Sequence, residues 1–137
     1  MAKVLIMGVD TVSDAELKKV IADFLEMGHM ENIVAMFRRN PQYYGWTGEI
    51  LQDDRFNVRL GLTIVFEELQ ALGAAEIDRA LPSLASLLND DSALIRGEAI
   101  GILGIIGTRE AKELITTMAD DASPQVREMV ELAQNND

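Results

Sequence analysis

The sequence predicts an all-α fold: an α-α superhelix of about three stacked helical hairpins, preceded by two capping helices and a short extended arm. Three observations carry that prediction. The chain repeats itself at a nearly fixed period, and its apolar residues recur at helical spacing almost from end to end. Its 137 residues, 48% hydrophobic and 26% charged, have the composition of one folding domain rather than a disordered chain. A chain of that length buries roughly two-thirds of its unfolded surface.

The repeat is read by displacement. Shifted by 31, Ala80 falls on Ala111, Leu84 on Ile115, Leu87 on Met118, Ile95 on Val126 and Arg96 on Arg127. Shifted by 37 the other way, Leu51 meets Leu88, Asp53-Asp54 meets Asp90-Asp91, and Val58-Arg59 meets Ile95-Arg96. Each unit has an apolar helix, an acidic turn, a β-branched residue, an arginine and a second apolar helix. The units are expected at 43–73, 77–107 and 110–137.

Residues 1–10 form the arm. Its apolar start, Val4-Leu5-Ile6-Met7, has no sheet to join in a helical fold, and an unpaired strand leaves backbone groups unsatisfied. Three fates are open to it: pairing with a second copy, packing across the helices, or disorder. Residues 11–40 hold the capping helices. Ser13-Asp14-Ala15-Glu16 is a capping box, with Leu17, Val20, Ile21, Phe24 and Leu25 at helical spacing behind it. A second helix runs from about Glu31 to Arg39 and stops before Pro41. The expected pairs are Tyr43 to Gln52 with Asn57 to Leu72, Ile77 to Asn89 with Ser92 to Ile106, and Glu110 to Ala119 with Ser123 to Gln134. Pro82 and Pro124 fall in first turns, and Gly73 and Gly107 follow long helices as C-terminal caps.

The stretch LPSLASLLNDDSALIRGEAIGILGIIG resembles a HEAT repeat of the short bacterial kind first noted in phycobilisome lyases. DDASPQVREMVELA resembles the next unit, and GEILQDDRFNVRLGLTIVFEEL a divergent earlier one, so the resemblance covers roughly residues 43–137. It implies a right-handed solenoid whose members mostly bind proteins; some relatives attach bilins or excise damaged bases. It also implies that the pairs Asp53 with Arg59, Asp90 with Arg96 and Asp121 with Arg127 are structural, hydrogen-bonding between neighbouring units. Gln134 departs from the pattern, standing where Leu103 and Phe66 are apolar. It marks either the polar face of a terminal cap or a fragment of a longer array.

On a helical wheel, Ile95, Ala99, Ile100, Ile102, Leu103 and Ile106 share the core arc, and Leu94, Gly97, Glu98, Gly101 and Ile105 the opposite one. The same offsets give Leu60, Gly61, Ile64 and Glu68 earlier and Glu128, Met129 and Leu132 later. In HEAT-like superhelices this arc lines the concave face. The candidate protein-binding groove is therefore Leu60, Ile64, Glu68, Leu94, Glu98, Ile105, Met129 and Leu132. The competing reading has adjacent helices covering these residues, with the glycines serving close packing. The aromatics, all seven between Phe24 and Phe66, read as the closed hydrophobic end of the stack or as a second contact patch beside Arg38 and Arg39.

Charge narrows the partner. The net charge is −11, divided as −2 over residues 1–60 and −9 over 61–137. Acidity disfavours nucleic acid and anionic membrane and favours a protein with a basic or amphipathic segment. A homodimer through residues 1–9 is the self-associating alternative. Without cysteine there is no disulfide, thiol nucleophile or Cys-ligated zinc, and the single His29 leaves no histidine pair. The glycines of 101–107 lie within a helix, and the strand-like start is followed by no second strand, so neither reads as a nucleotide site. The paired aspartates lack the ligand alternation of a calcium loop. Glu67 and Glu68, being neighbours on a helix, point apart. No cofactor or metal is expected. The apolar runs from Val4 to Val9 and Ala99 to Gly107 are too short for a signal peptide or a membrane span, so the expected location is the cytoplasm. The sequence thus reads as a non-enzymatic adaptor. The alternatives are an accessory subunit for enzyme maturation or cofactor attachment and a self-associating structural module.

Overall fold

The computed structural model of the chain describes residues 4–5 and 11–135. Val4–Leu5 (β1) pairs antiparallel with Thr11–Val12 (β2), in register Val4 with Val12 and Leu5 with Thr11. The expectation that the arm had no strand to join is corrected: its backbone partner is the chain's own segment just before the first helix. The remainder of residues 1–9, the expected route to a homodimer, lies outside the described residues.

Among the described residues eight α-helices follow, in three hairpins behind an N-terminal pair. Helix α1 (Asp14–Glu26) starts at the capping box: the Glu16 N–H donates to Ser13 Oγ at 3.2 Å, and Ser13 Oγ donates to Glu16 Oε1 at 3.0 Å. A left-handed Gly28 (φ 84°) turns the chain into α2 (Met30–Arg39). The hairpins are α3 (Thr47–Leu51) with α4 (Phe56–Ala71), α5 (Leu81–Leu87) with α6 (Ala93–Ile106), and α7 (Arg109–Thr116) with α8 (Pro124–Gln134). Ser92, Thr108 and Ser123 cap α6, α7 and α8 through their side chains.

The first helices of two units differ from expectation. Pro41–Trp46 and Ile77–Ala80 are 3-10 turns, and α-helix begins only at Thr47 and Leu81. Pro82 has no N–H to return to the Asp78 carbonyl, so the turn before it closes by tighter bonds such as Arg79 N–H to Glu76 O at 3.0 Å.

The second helices α4, α6 and α8 pack side by side, the first helices flank them, and α1 and α2 both pack on α4. The core runs unbroken through the stack: Leu62, Val65, Phe66 and Leu69 of α4 and Ile100, Ile102 and Leu103 of α6 are fully buried. At the N-terminal end, Phe37 packs edge-on to Tyr44 (5.3 Å between centroids) and Phe66 (6.4 Å), and both tyrosines are buried. These rings thus point inward. The half-buried Trp46 lies nearer the surface, stacked on Tyr43 and covered by Lys18, which pairs with Glu49 at 3.0 Å, while Phe56, at the start of α4, is 62% exposed.

Candidate partner-binding face

Within each unit the aspartate and arginine build one repeated device. The carboxylate turns back to accept the backbone N–H two residues on: Arg55 onto Asp53, Ser92 onto Asp90 and Ser123 onto Asp121, each at 2.9 Å. The arginine six residues along donates Nη1 to the carbonyl of the same aspartate, at 2.8 Å for Arg59 and Asp53, 2.8 Å for Arg96 and Asp90, and 2.6 Å for Arg127 and Asp121. Side chain and backbone together lock the acidic turn onto the helix that follows it.

Between units the device is not uniform. Arg96 reaches forward, with Nε 3.1 Å from Asp121 Oδ1 and Nη2 3.0 Å from Oδ2, a bidentate pair with side chains 15% and 11% exposed. The Arg96 fork, with help from the Ser123 amide, holds the Asp121 carboxyl below its ordinary value. The equivalent pairing of Arg59 with Asp90, expected from the family resemblance, is absent among the described residues. Asp90 Oδ1 instead accepts Gln52 Nε2 at 3.1 Å, and Arg59, only 7% exposed, keeps a buried Nε without a hydrogen-bond partner among them. Asp53 is served by Arg55, whose Nε and Nη2 lie 3.0 Å from its two oxygens and whose Nη1 reaches Asp23 of α1 at 3.0 Å. The Arg55 hydrogen bonds hold the Asp53 carboxyl below its ordinary value. Sequence reading missed Gln52, Arg55 and Asp23. Only the position of Arg55, two residues after Asp53, offered a signal.

On the second-helix face the structure brings Leu94, Glu98, Met129 and Leu132 into one groove of about 430 Å³. Thr63 of α4, Gly97 and Gly101 of α6, and Gln125 and Glu128 of α8 line it as well. Leu94 and Leu132 are 55% and 54% exposed, and Met129 is half-buried against the core. A Cβ on Gly97 or Gly101 would meet the Met129 side chain at an ordinary contact distance of 3.4 Å, whereas one on Gly104 would crowd Ala133 at 3.2 Å. The face is not one continuous groove. Ile64 and Glu68 line a separate hollow with Gly28, His29 and Glu31, because the start of α2 lies beside α4. Leu60 is exposed outside both hollows, and Ile105 is half-buried against the core.

Hairpins stacked on shared neighbours, with the same aspartate–arginine lock at each acidic turn, define a helical-repeat protein. The family model for HEAT repeats matches residues 46–134, and the chain belongs to that family. Neither the curated proteins nor the solved structures yield a match. HEAT repeats generally mediate protein–protein interaction, and the family is typically a non-enzymatic scaffold. Among the described residues no helix is long and apolar enough to cross a membrane.

Proposed function

We propose that the chain is an adaptor that holds an amphipathic, basic helical segment of a partner protein in the groove between α6 and α8. The observation that carries this reading is an apolar trough whose two most exposed walls, Leu94 and Leu132, stand beside the carboxylates Glu98 and Glu128. Apolar anchors spaced along one helix face fill such a trough, and flanking lysines or arginines meet the acidic rim. The acidic excess of residues 61–137 extends that preference around the groove and speeds encounter at low salt.

The probe is a synthetic helix with leucines at i, i+3, i+4 and i+7 and lysines elsewhere, compared with the same apolar pattern carrying glutamates. The basic peptide binds, weakens as salt is raised, and loses at least about tenfold in affinity, near 1.4 kcal/mol, when Leu94→Asp and Leu132→Asp are combined. Both leucines are exposed, so helical circular dichroism and melting stay near those of the parent. Equal binding of the acidic peptide, or undiminished binding by the double variant, defeats the proposal.

A further inference from the structure

The joint between the first and second units carries an unfilled donor where the joint between the second and third carries a filled one. Arg59 and Arg96 occupy equivalent positions and make the same bond to the carbonyl of their own turn. Arg96 spends its remaining fork on the next unit's aspartate, while the Arg59 Nε is buried without a partner among the described residues. A buried unpaired guanidinium N–H is costly, and the acceptor that would satisfy it is close by. Asp90 has the same turn geometry as Asp121, and the two aspartates Asp53 and Asp90 line one cleft of about 360 Å³ together with Arg59 and Leu94. What occupies the Asp90 oxygen is a neutral amide, Gln52. An external anion is a poor occupant, since Asp53, Asp54 and Asp90 all face the cleft. The natural acceptor is Asp90 itself.

We propose that this joint is a two-state hinge in which the Asp90 carboxylate exchanges Gln52 for the Arg59 fork. In the state described, the joint is open at the turn edge and is held by contacts elsewhere. Gly48 N–H donates to Ser83 Oγ between α3 and α5, and Gln70 Nε2 donates to the Ile105 and Ile106 carbonyls, each at 2.8 Å. Closing pivots the second unit about these contacts and reproduces at Arg59 the bidentate pair seen at Arg96. Leu94 lines both the cleft and the groove, so closure moves a groove wall. The coupling of the hinge to a bound segment rests on the function proposed above; the hinge itself does not.

The chain has no cysteine, so two introduced cysteines can be spin-labelled without background. Labels at Asn57→Cys and Asp91→Cys span the first joint, and labels at Asp91→Cys and Ala122→Cys span the second; all these side chains are exposed. Dipolar distances are measured on the free chain, with no peptide present. Gln52→Leu, which removes the competing amide, shifts the first-joint distribution to shorter distance. Adding Arg59→Gln returns it to the parent value, and the second-joint pair moves in neither variant. Gln52→Ala repeats the test without added apolar bulk. A first-joint distance unmoved by both Gln52 variants, or a shortening that survives Arg59→Gln, overturns the hinge whatever the peptide experiment gives.

Discussion

The two joints of the superhelix are built from the same phrase and held by different means. At the second joint, α6 and α8 approach along Gly97, Gly101 and Gly104, and Arg96 clasps Asp121 at the turn. At the first joint the clasp is absent among the described residues. Contact has moved to the opposite layer, where Gly48 of α3 lies against Ser83 of α5, and to the far end of α6, where Gln70 satisfies carbonyls the helix leaves free. A repeated sequence motif therefore fixes the geometry inside a unit more firmly than the geometry between units. Between units the partner of the equivalent carboxylate differs: Asp121 takes the Arg96 fork and Asp90 the Gln52 amide.

The largest effect should come from the anchor of the first joint. A Cβ on Gly48 would lie 2.6 Å from the Ser83 carbonyl oxygen, and backbone cannot step aside as a side-chain tip does. Gly48→Ala should therefore lower stability by about 2 to 3 kcal/mol through overpacking, read from urea denaturation. A loss below about 0.5 kcal/mol would mean that this layer does not hold the joint. Next comes the clasp itself. Asp121→Ala removes a mostly buried carboxylate from Arg96 and from the Ser123 amide and should cost about 2 kcal/mol. Asp90→Ala loses only an amide partner and the equivalent turn bond and should cost about 1 kcal/mol. Equal losses would erase the distinction between the joints.

A smaller change of opposite sign is expected at the groove glycines. Gly97→Ala and Gly101→Ala place a methyl at ordinary contact distance from Met129 and relieve glycine's cost inside α6. Each should stabilise the chain by roughly 0.5 to 1 kcal/mol while weakening the basic peptide. Tighter peptide binding in these variants would place the segment elsewhere.

The distribution of such features explains how much was legible beforehand. Capping boxes, acidic turns and the glycine ends of α4 and α6 act within a few residues, and the spacing of Ser13 with Glu16 or of Asp53 with Arg59 was enough to find them. That Leu94, Glu98, Met129 and Leu132 share one hollow was legible because helical offsets carry over between α6 and α8. Ile64 and Glu68 were misplaced because what lies beside them is α2, which the repeat does not encode. The unpaired Nε of Arg59 left no trace in the motif, since Val58-Arg59 and Ile95-Arg96 read alike while the carboxylate that Arg96 takes sits 25 residues away.

Acid is the mildest probe of the same contrast. The Asp121 carboxyl is held below its ordinary value first by Arg96, and that of Asp53 first by Arg55. A carboxyl whose folded value lies below the unfolded one, near 3.9, stabilises the fold at higher pH. That contribution is present above about pH 4 and is lost as pH falls through the folded value. Stability should therefore decline as pH is lowered from about 5 to about 2. Arg96→Met should make that decline shallower, because Asp121 then keeps only the Ser123 amide among its stronger supports. Arg59→Met should leave the slope nearly as it was, since Arg59 bonds a carbonyl and acts on Asp53 only as the weakest of its influences. Urea midpoints for the three chains across that pH range measure both slopes. Parallel slopes for parent and Arg96→Met would show that the clasp at the second joint is exchanging with water, as the first joint's acceptor is proposed to exchange between Gln52 and Arg59.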